Sequence, residues 1–361
     1  MAKKLEVDII PKSFKLQWHI TERCNFRCKH CYQENYDTPE INLGQMEEIL
    51  QQFVDLLKKW KIPSSLASLA ITGGEPFLYK DFYPFLAKVY KYSGNYKWGL
   101  MSNGSFVDRE NIKILKLFKI NDFQVSLEGL EENNDKIRGK GNFQKTIEAL
   151  KILIKGGIHA SVSLTITKEN INDIFPLAKL LSEIRVNSFL VRRLVPRGAG
   201  FQLILLEPQE IASLFKEVEK AGKLFSQKKT YLRIPFSCDN FFLRTDFIDS
   251  AGKRYCAVLG GRILTLLPNG DVLPCRRLPI KIGNILKNSF ENIFYCDKIK
   301  EMRGLKNVPE FCQNNCHNFS NCFGGAKCVT YAYSGRLDIP DIQCPKAYNK
   351  LDKDLLIKNP L

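Results

Sequence analysis

Histidine is scarce in this chain, with four residues among 361. A mechanism that relies on several imidazoles as bases or ligands has little to draw on. Long apolar runs are missing as well: nothing approaches the roughly 18 consecutive apolar residues of a membrane helix. The opening residues, Met1-Ala2-Lys3-Lys4-Leu5-Glu6-Val7-Asp8, lack the apolar stretch of a signal peptide. A cytoplasmic protein without membrane association is therefore expected. No internal repeat or low-complexity tract is present, and a composition of 44% apolar and 25% charged residues excludes disorder. The length corresponds to about 2.4 average domains, so one large or two modest ones fit.

Cysteine and positive charge are the two abundant quantities. The 54 Lys and Arg exceed the 38 Asp and Glu for a formal net charge of +16, but the excess is spread along the chain. A nucleic-acid surface would gather it into a stripe with interleaved aromatics, so nucleic acid is not an expected partner. Twelve cysteines in a chain expected to stay in a reducing compartment point to metal or redox chemistry rather than to disulfides. They fall in two groups: Cys24, Cys28 and Cys31 near the start, and the other nine from Cys238 onward.

The stretch between the groups alternates strand and helix patterns. Strands are expected over Phe14 to Ile20, Ala67 to Ile71, Tyr96 to Met101, Asp122 to Leu127, His159 to Ile166 and Ser188 to Arg193. Helical periods run from Leu43 to Trp60 and over about 80–93, 143–155, 171–185 and 208–226, with another before Asp122. Such alternation predicts a parallel sheet with crossover helices. Eight units would close a full barrel, so six predict an α/β fold with a partial (β/α)6 barrel. The expected division is the barrel over 12–230, a linker over 231–255, a small, irregular Cys-rich C-terminal domain over 256–348 and a tail over 349–361. Within the Cys-rich domain, Arg262 to Leu267, Pro268-Asn269-Gly270-Asp271 and Val272-Leu273 read as a β-hairpin. That hairpin would bring Cys256 and Cys275 to one end.

Unusual residues collect just past the strand ends: Cys24, Cys28 and Cys31; Gly73-Gly74-Glu75-Pro76; Ser102-Asn103-Gly104; Ser126 with Glu128; Thr165; and Arg192 with Arg193. This is the rim where α/β barrels bind ligands. Three cysteines spaced x3 and x2 can hold three corners of a four-iron cluster, leaving one iron open. Zinc would want a fourth ligand, which His30 could supply.

With these motifs the sequence resembles the radical S-adenosylmethionine (radical SAM) enzymes, whose signature is the three-cysteine loop after the first strand. The resemblance implies a SAM-binding [4Fe-4S] cluster on Cys24, Cys28 and Cys31. It also implies that Gly73, Gly74, Glu75 and Pro76 bind the amino group of the cofactor, with Glu75 as acceptor. Ser126-Leu127-Glu128-Gly129 and Ile137-Arg138-Gly139 are similar to the family's fourth-strand motif near the ribose and carboxylate, with Glu128 where an Asp is usual. Ser102, Asn103 and Thr165 at the neighbouring strand ends join this cofactor-binding set, and Tyr32 is placed near the adenine. An external electron donor of flavodoxin or ferredoxin type is implied.

The second cysteine group, Cys256-x13-Gly270-x4-Cys275, then Cys312-x3-Cys316-x5-Cys322-x5-Cys328 and x15 to Cys344, resembles the SPASM extension of that family. The family has x2 and x3 where x3 and the second x5 stand here. The resemblance implies two auxiliary clusters, three [4Fe-4S] clusters in all: an outer one on Cys312, Cys316, Cys322 and Cys344, and an inner one on Cys256, Cys275 and Cys328. Cys238, Cys296, substrate or solvent could supply the fourth inner ligand. Taken alone, the same spacing also accommodates a zinc knuckle.

The resemblance implies oxidative modification or crosslinking of a peptide or protein by a monomeric maturase. Only about a dozen residues precede the first strand, so a peptide maturase would need a separate leader-recognition protein or a groove of its own. The alternatives are small-molecule cofactor synthesis, by tetrapyrrole decarboxylation or a quinone-cofactor step, and a non-enzymatic iron–sulfur electron carrier. Arg192-Arg193 and Arg197 offer bidentate donors for a carboxylate, or else form internal ion pairs. Arg276-Arg277 after Cys275, where sulfatase-type maturases place an Asp, argues against that activity.

Overall fold

A computed structural model describes residues 10–211, 256–304, 308–317 and 319–347, together with 213, 214, 218 and 222. Six parallel strands form the barrel wall: β1 Phe14–His19, β2 Ala67–Thr72, β3 Lys97–Ser102, β4 Asp122–Ser126, β5 Ala160–Ile166 and β6 Ser188–Arg193. Between them run α1 Leu43–Lys59, α2 Phe82–Lys91, α3 Arg109–Leu117, α4 Glu131–Arg138, α5 Asn142–Lys155 and α6 Ile174–Glu183. The partial (β/α)6 barrel read from the sequence is thus present. The helix expected over 208–226 begins as expected at residue 208, and the rest of it lies mostly outside the described residues. The linker, Cys238 and the tail lie outside them too.

Local chemistry accounts for the elements. Helix α1 starts at Asn42, whose side chain accepts from Gln45 N–H while the Gln45 side chain accepts from Asn42 N–H. Its buried residues Met46, Ile49, Leu50, Phe53 and Leu57 recur at three and four positions, one stripe against the sheet. On the strands, residues facing the helices are sealed, such as Leu16 and Trp18 on β1 or Phe123 and Val125 on β4. Their neighbours Lys15, Gln17, Gln124 and Ser126 are half-buried on the concave face. Helix α4 was not legible in advance because Glu131–Arg138 holds a single apolar residue, Ile137, and so shows no period.

The hairpin of the Cys-rich region is present as β7 Ile263–Leu266 and β8 Asp271–Leu273, turning through Gly270 at φ +86°. Its setting differs from that of a separate domain. Strand β7 pairs in parallel with β1, Lys15 opposite Ile263 and Trp18 opposite Leu266. With β9 Gly283–Asn284 the sheet has nine strands in the order β6-β5-β4-β3-β2-β1-β7-β8-β9. The C-terminal region thereby covers the β1 edge that a six-stranded barrel would leave unpaired. Aromatic packing continues across the seam, with Phe294 at 4.6 Å from Trp60 and 5.8 Å from Phe14 between ring centroids.

Candidate functional site

The cysteine loop leaves β1 and is held by backbone pairing with the segment after β2. Gly74 N–H donates to Thr21 O at 2.9 Å and Glu75 N–H to Arg23 O at 2.8 Å. A Cβ on Gly73 would stand 2.2 Å from Thr21 O, and one on Gly74 would stand 2.4 Å from Arg23 O. Glycine is required here because two backbone segments touch. Within the loop, Cys31 N–H donates to Cys28 O and Phe26 N–H points at Cys24 Sγ, 3.4 Å away. Asn25 bonds Asn103 and Ser105, tying the loop to the end of β3.

Glu75 already has several donors within the chain. It is fully buried, and its carboxylate accepts from Ser102 Oγ, Asn103 N–H and Phe77 N–H. Ser102 and Asn103 therefore brace Glu75 in this structure. Burial pushes the Glu75 carboxyl up to about 7, against the pull of those donors. The folded chain then binds this proton more tightly than the unfolded one, whose value is near 4.5. Its contribution to stability is complete below about pH 4.5 and is lost as pH rises through about 7, on the order of 3 kcal/mol in total. Glu75→Gln is expected to flatten thermal stability against pH between about 5 and 8, as read by calorimetry.

The end of β4 carries a second buried hub. Glu128 Oε1 lies 3.2 Å from His30 Nε2 and 3.1 Å from Arg138 Nη1, and Thr165 N–H donates to Oε2 at 2.6 Å. Burial alone would raise the Glu128 carboxyl; His30, Arg138 and the Thr165 N–H together hold it below the ordinary range. Arg138 is raised despite its own burial, by Cys28 and Glu128. Two buried donors here have no hydrogen-bond partner, His30 Nδ1 and Arg138 Nε. His30 had been read only as a zinc ligand; its position directly before Cys31 was the available signal for this role.

The other predicted residues separate by face. Ser126 and Thr165 are half-buried on the concave side, as is Arg192 at the end of β6. Arg193, one residue on, points the opposite way into a buried ion pair with Asp341, at 2.8 and 3.1 Å. Of the two arginines read as one carboxylate clamp, only Arg192 is left for a ligand, because strand neighbours face opposite sides. Arg197 pairs with Glu34 at 3.0 Å. Tyr32 packs under Arg276 at 4.7 Å, between the first loop and the hairpin, and Arg276 lies 3.6 Å from Glu22.

None of the eleven described cysteines is in a disulfide. Cys312, Cys316, Cys322 and Cys344 all line one cavity of about 350 Å³, with Asp341 and the Gly324-Gly325 turn. Burial pushes the Cys312 and Cys322 thiols up to about 12. Among the described residues no three His, Cys, Asp or Glu side chains gather tightly enough for one ion. The four thiols line one shared space, where they could together hold a multi-iron cluster. Cys256 lines a second cavity of about 270 Å³ with Lys327 and Met302. Cys275 and Cys328 pack against the main core and are not among its walls, and Cys296 stands at the start of helix Asp297–Arg303, lining neither cavity.

A sequence profile of the Radical SAM superfamily matches residues 18–181, and one of the SPASM iron–sulfur cluster-binding domain matches 256–317. The chain belongs to the radical SAM superfamily. It is an enzyme of SAM and iron–sulfur chemistry, so a carrier without activity is set aside. It is 35% identical over 249 residues to the Fe-coproporphyrin III synthase of Methanosarcina barkeri (strain Fusaro / DSM 804), a match that covers 67% of this chain and 60% of that protein. It is 25% identical over 353 residues to the mycofactocin maturase MftC of Mycolicibacterium smegmatis, covering 92% and 83%. The crystal structure of Streptococcus suis SuiB bound to S-adenosylmethionine shares the fold at a TM-score of 0.73 and 19% identity, covering 92% of this chain and 77% of that one.

The first site has thiols and unpaired donors for its groups. Cys24, Cys28 and Cys31 could hold a cluster, while the unpaired donors of His30 and Arg138 beside Glu128 could receive a polar cofactor. The outer thiols could hold a second cluster. Among the described residues, no helix is long and apolar enough to cross a membrane.

Proposed function

We propose that this radical SAM/SPASM enzyme holds three [4Fe-4S] clusters and oxidatively modifies or crosslinks a carboxylate-bearing peptide or protein. The observation that carries the reading is the concave face of the barrel, which lies between the two cysteine groups and is polar and cationic. Lys15 and Arg192 share that face, close enough that Arg192 adds to burial in pulling the Lys15 ammonium down to about 8. Gln17 and His19 continue it along β1, and His19, lowered well below its usual range by burial and then by Arg276, stays neutral. Such a face binds carboxylates and offers hydrogen bonds without a strong base. When bound, the SAM and its cluster supply a 5′-deoxyadenosyl radical, and auxiliary clusters an acceptor for the substrate's electron. The chain's part is to orient and to exclude water.

The maturase reading draws on MftC, which aligns along most of this chain. A carboxylated tetrapyrrole is the second reading, favoured by the higher identity to the Fe-coproporphyrin III synthase. One incubation separates them. With SAM, dithionite and candidate substrates, the expected result is deoxyadenosine formed together with loss of two hydrogens from a peptide. Loss of carbon dioxide from a propionate-bearing tetrapyrrole would replace the first reading with the second.

The electron donor of this cytoplasmic monomer, in the same proposal, is an acidic flavodoxin or ferredoxin. Beside the cysteine loop, Arg27, Lys29, Lys136, Lys140 and Lys145 surround an open hollow of about 770 Å³. Lys29→Glu with Lys140→Glu is expected to slow deoxyadenosine formation about tenfold with flavodoxin at low salt, and not with dithionite. Equal loss with both reductants would remove this surface from consideration.

A further inference from the structure

Lys327, at the start of helix Lys327–Ser334, is only 4% exposed. Its ammonium donates to Leu337 O at 2.8 Å, and among the described residues it makes no ion pair. An ammonium has three donors, and burying one without a counter-charge is costly. Asp341 lies in the same region but is taken up by both terminal nitrogens of Arg193. Asp341 therefore acts on Lys327 only through space, without an ion pair.

Two cavities flank this side chain. Lys327 is a wall of the one that Cys256 lines. Its Nζ also lies 3.0 Å from where a Cβ on Gly324 would stand, and Gly324 is a wall of the cavity of Cys312, Cys316, Cys322 and Cys344. After burial, Cys312 and Cys322 act on it most strongly, followed by Asp341 and then Cys256. Ligating thiolates at Cys312 and Cys322 would supply the nearest negative charge when metal is bound.

The geometry points to Lys327 as a counter-cation of the outer auxiliary cluster, a positioning residue that raises its reduction potential. Thiolate-ligated clusters are anionic and gain one more negative charge on reduction. A fixed cation beside the outer cluster stabilises its reduced form. This inference rests on the three-cluster reading proposed above.

The test is an EPR-monitored redox titration of the reconstituted full-length protein, with iron and acid-labile sulfide counted on the same samples. Wild type must first show about twelve irons, four per cluster; fewer would end the three-cluster reading itself, independently of Lys327. Lys327→Met and Lys327→Gln remove the charge, and Lys327→Arg keeps it. The neutral variants are expected to lower the outer-cluster potential by at least a tenfold change in the oxidised-to-reduced ratio, about 59 mV for one electron. The Arg variant should stay near wild type. A fully loaded neutral variant with wild-type potentials would overturn the proposal. So would an Arg variant that shifts as far as Met, or that loses its clusters along with both neutral ones, since packing would then be the whole role.

Discussion

Replacing Cys28 with Ala is expected to reduce 5′-deoxyadenosine formation by more than about a hundredfold, beyond what loss of an outer-sphere partner costs. Iron should fall from about twelve to about eight per chain, because only the cluster on the first loop is lost. Nothing in the fold depends on that thiol: the loop is fixed by Gly74 and Glu75 on the Thr21 and Arg23 carbonyls and by Asn25 on Asn103. Burial pushes the metal-free Cys28 thiol up to about 11, with Arg138 the largest opposing influence. Cluster insertion must therefore displace a proton, and loading should improve as pH rises. Arg138→Ala, by contrast, keeps all three thiols and should cost only about ten- to a hundredfold. Deoxyadenosine release and iron content, measured together, separate the variants. A Cys28→Ala protein that still makes deoxyadenosine at the wild-type rate would move the chemistry away from this loop.

The parts legible in the sequence were those written locally. The alternation of strand and helix patterns along the chain gave β1 to β6, and the Asn269-Gly270 turn gave the hairpin. The cysteine spacing around 312–344 anticipated a gathering that the structure shows as one cavity. Long-range pairing was not legible. No residue in Ile263–Leu266 announces that this strand lies parallel to β1 rather than in a unit of its own. That Ser102 and Asn103 both bond Glu75 was not legible, because they arrive from another strand end. The Arg192-Arg193 pair could have been divided in advance by the period-2 rule, but the acid that claims Arg193 sits in an irregular loop 148 residues away.

That loop makes the second large prediction. Arg193→Met is expected to destabilise the fold by about 3–5 kcal/mol, because it leaves the Asp341 carboxylate buried without its cation. Asp341 holds more than one segment together: besides Arg193 it accepts from Ala326 N–H at 2.8 Å and Gln343 N–H at 3.0 Å. Gln343 in turn donates to Leu206 O, so the barrel's sixth strand end, the Gly324-Gly325 turn and the segment before Cys344 share one network. Loosening it should lower iron content selectively, at the cavity of Cys312, Cys316, Cys322 and Cys344, while the first-loop cluster remains. Asp341→Asn removes the buried charge and keeps an acceptor for one of the two N–H groups, which reach different carboxylate oxygens; combined with Arg193→Met it should recover part of the loss, and the difference is the coupling between the two residues. Arg192→Met supplies the control from the adjacent position. On the concave face it should leave thermal stability and iron unchanged and weaken substrate binding alone. If the two methionine variants instead lost stability equally, the division of these arginines between fold and site would be wrong.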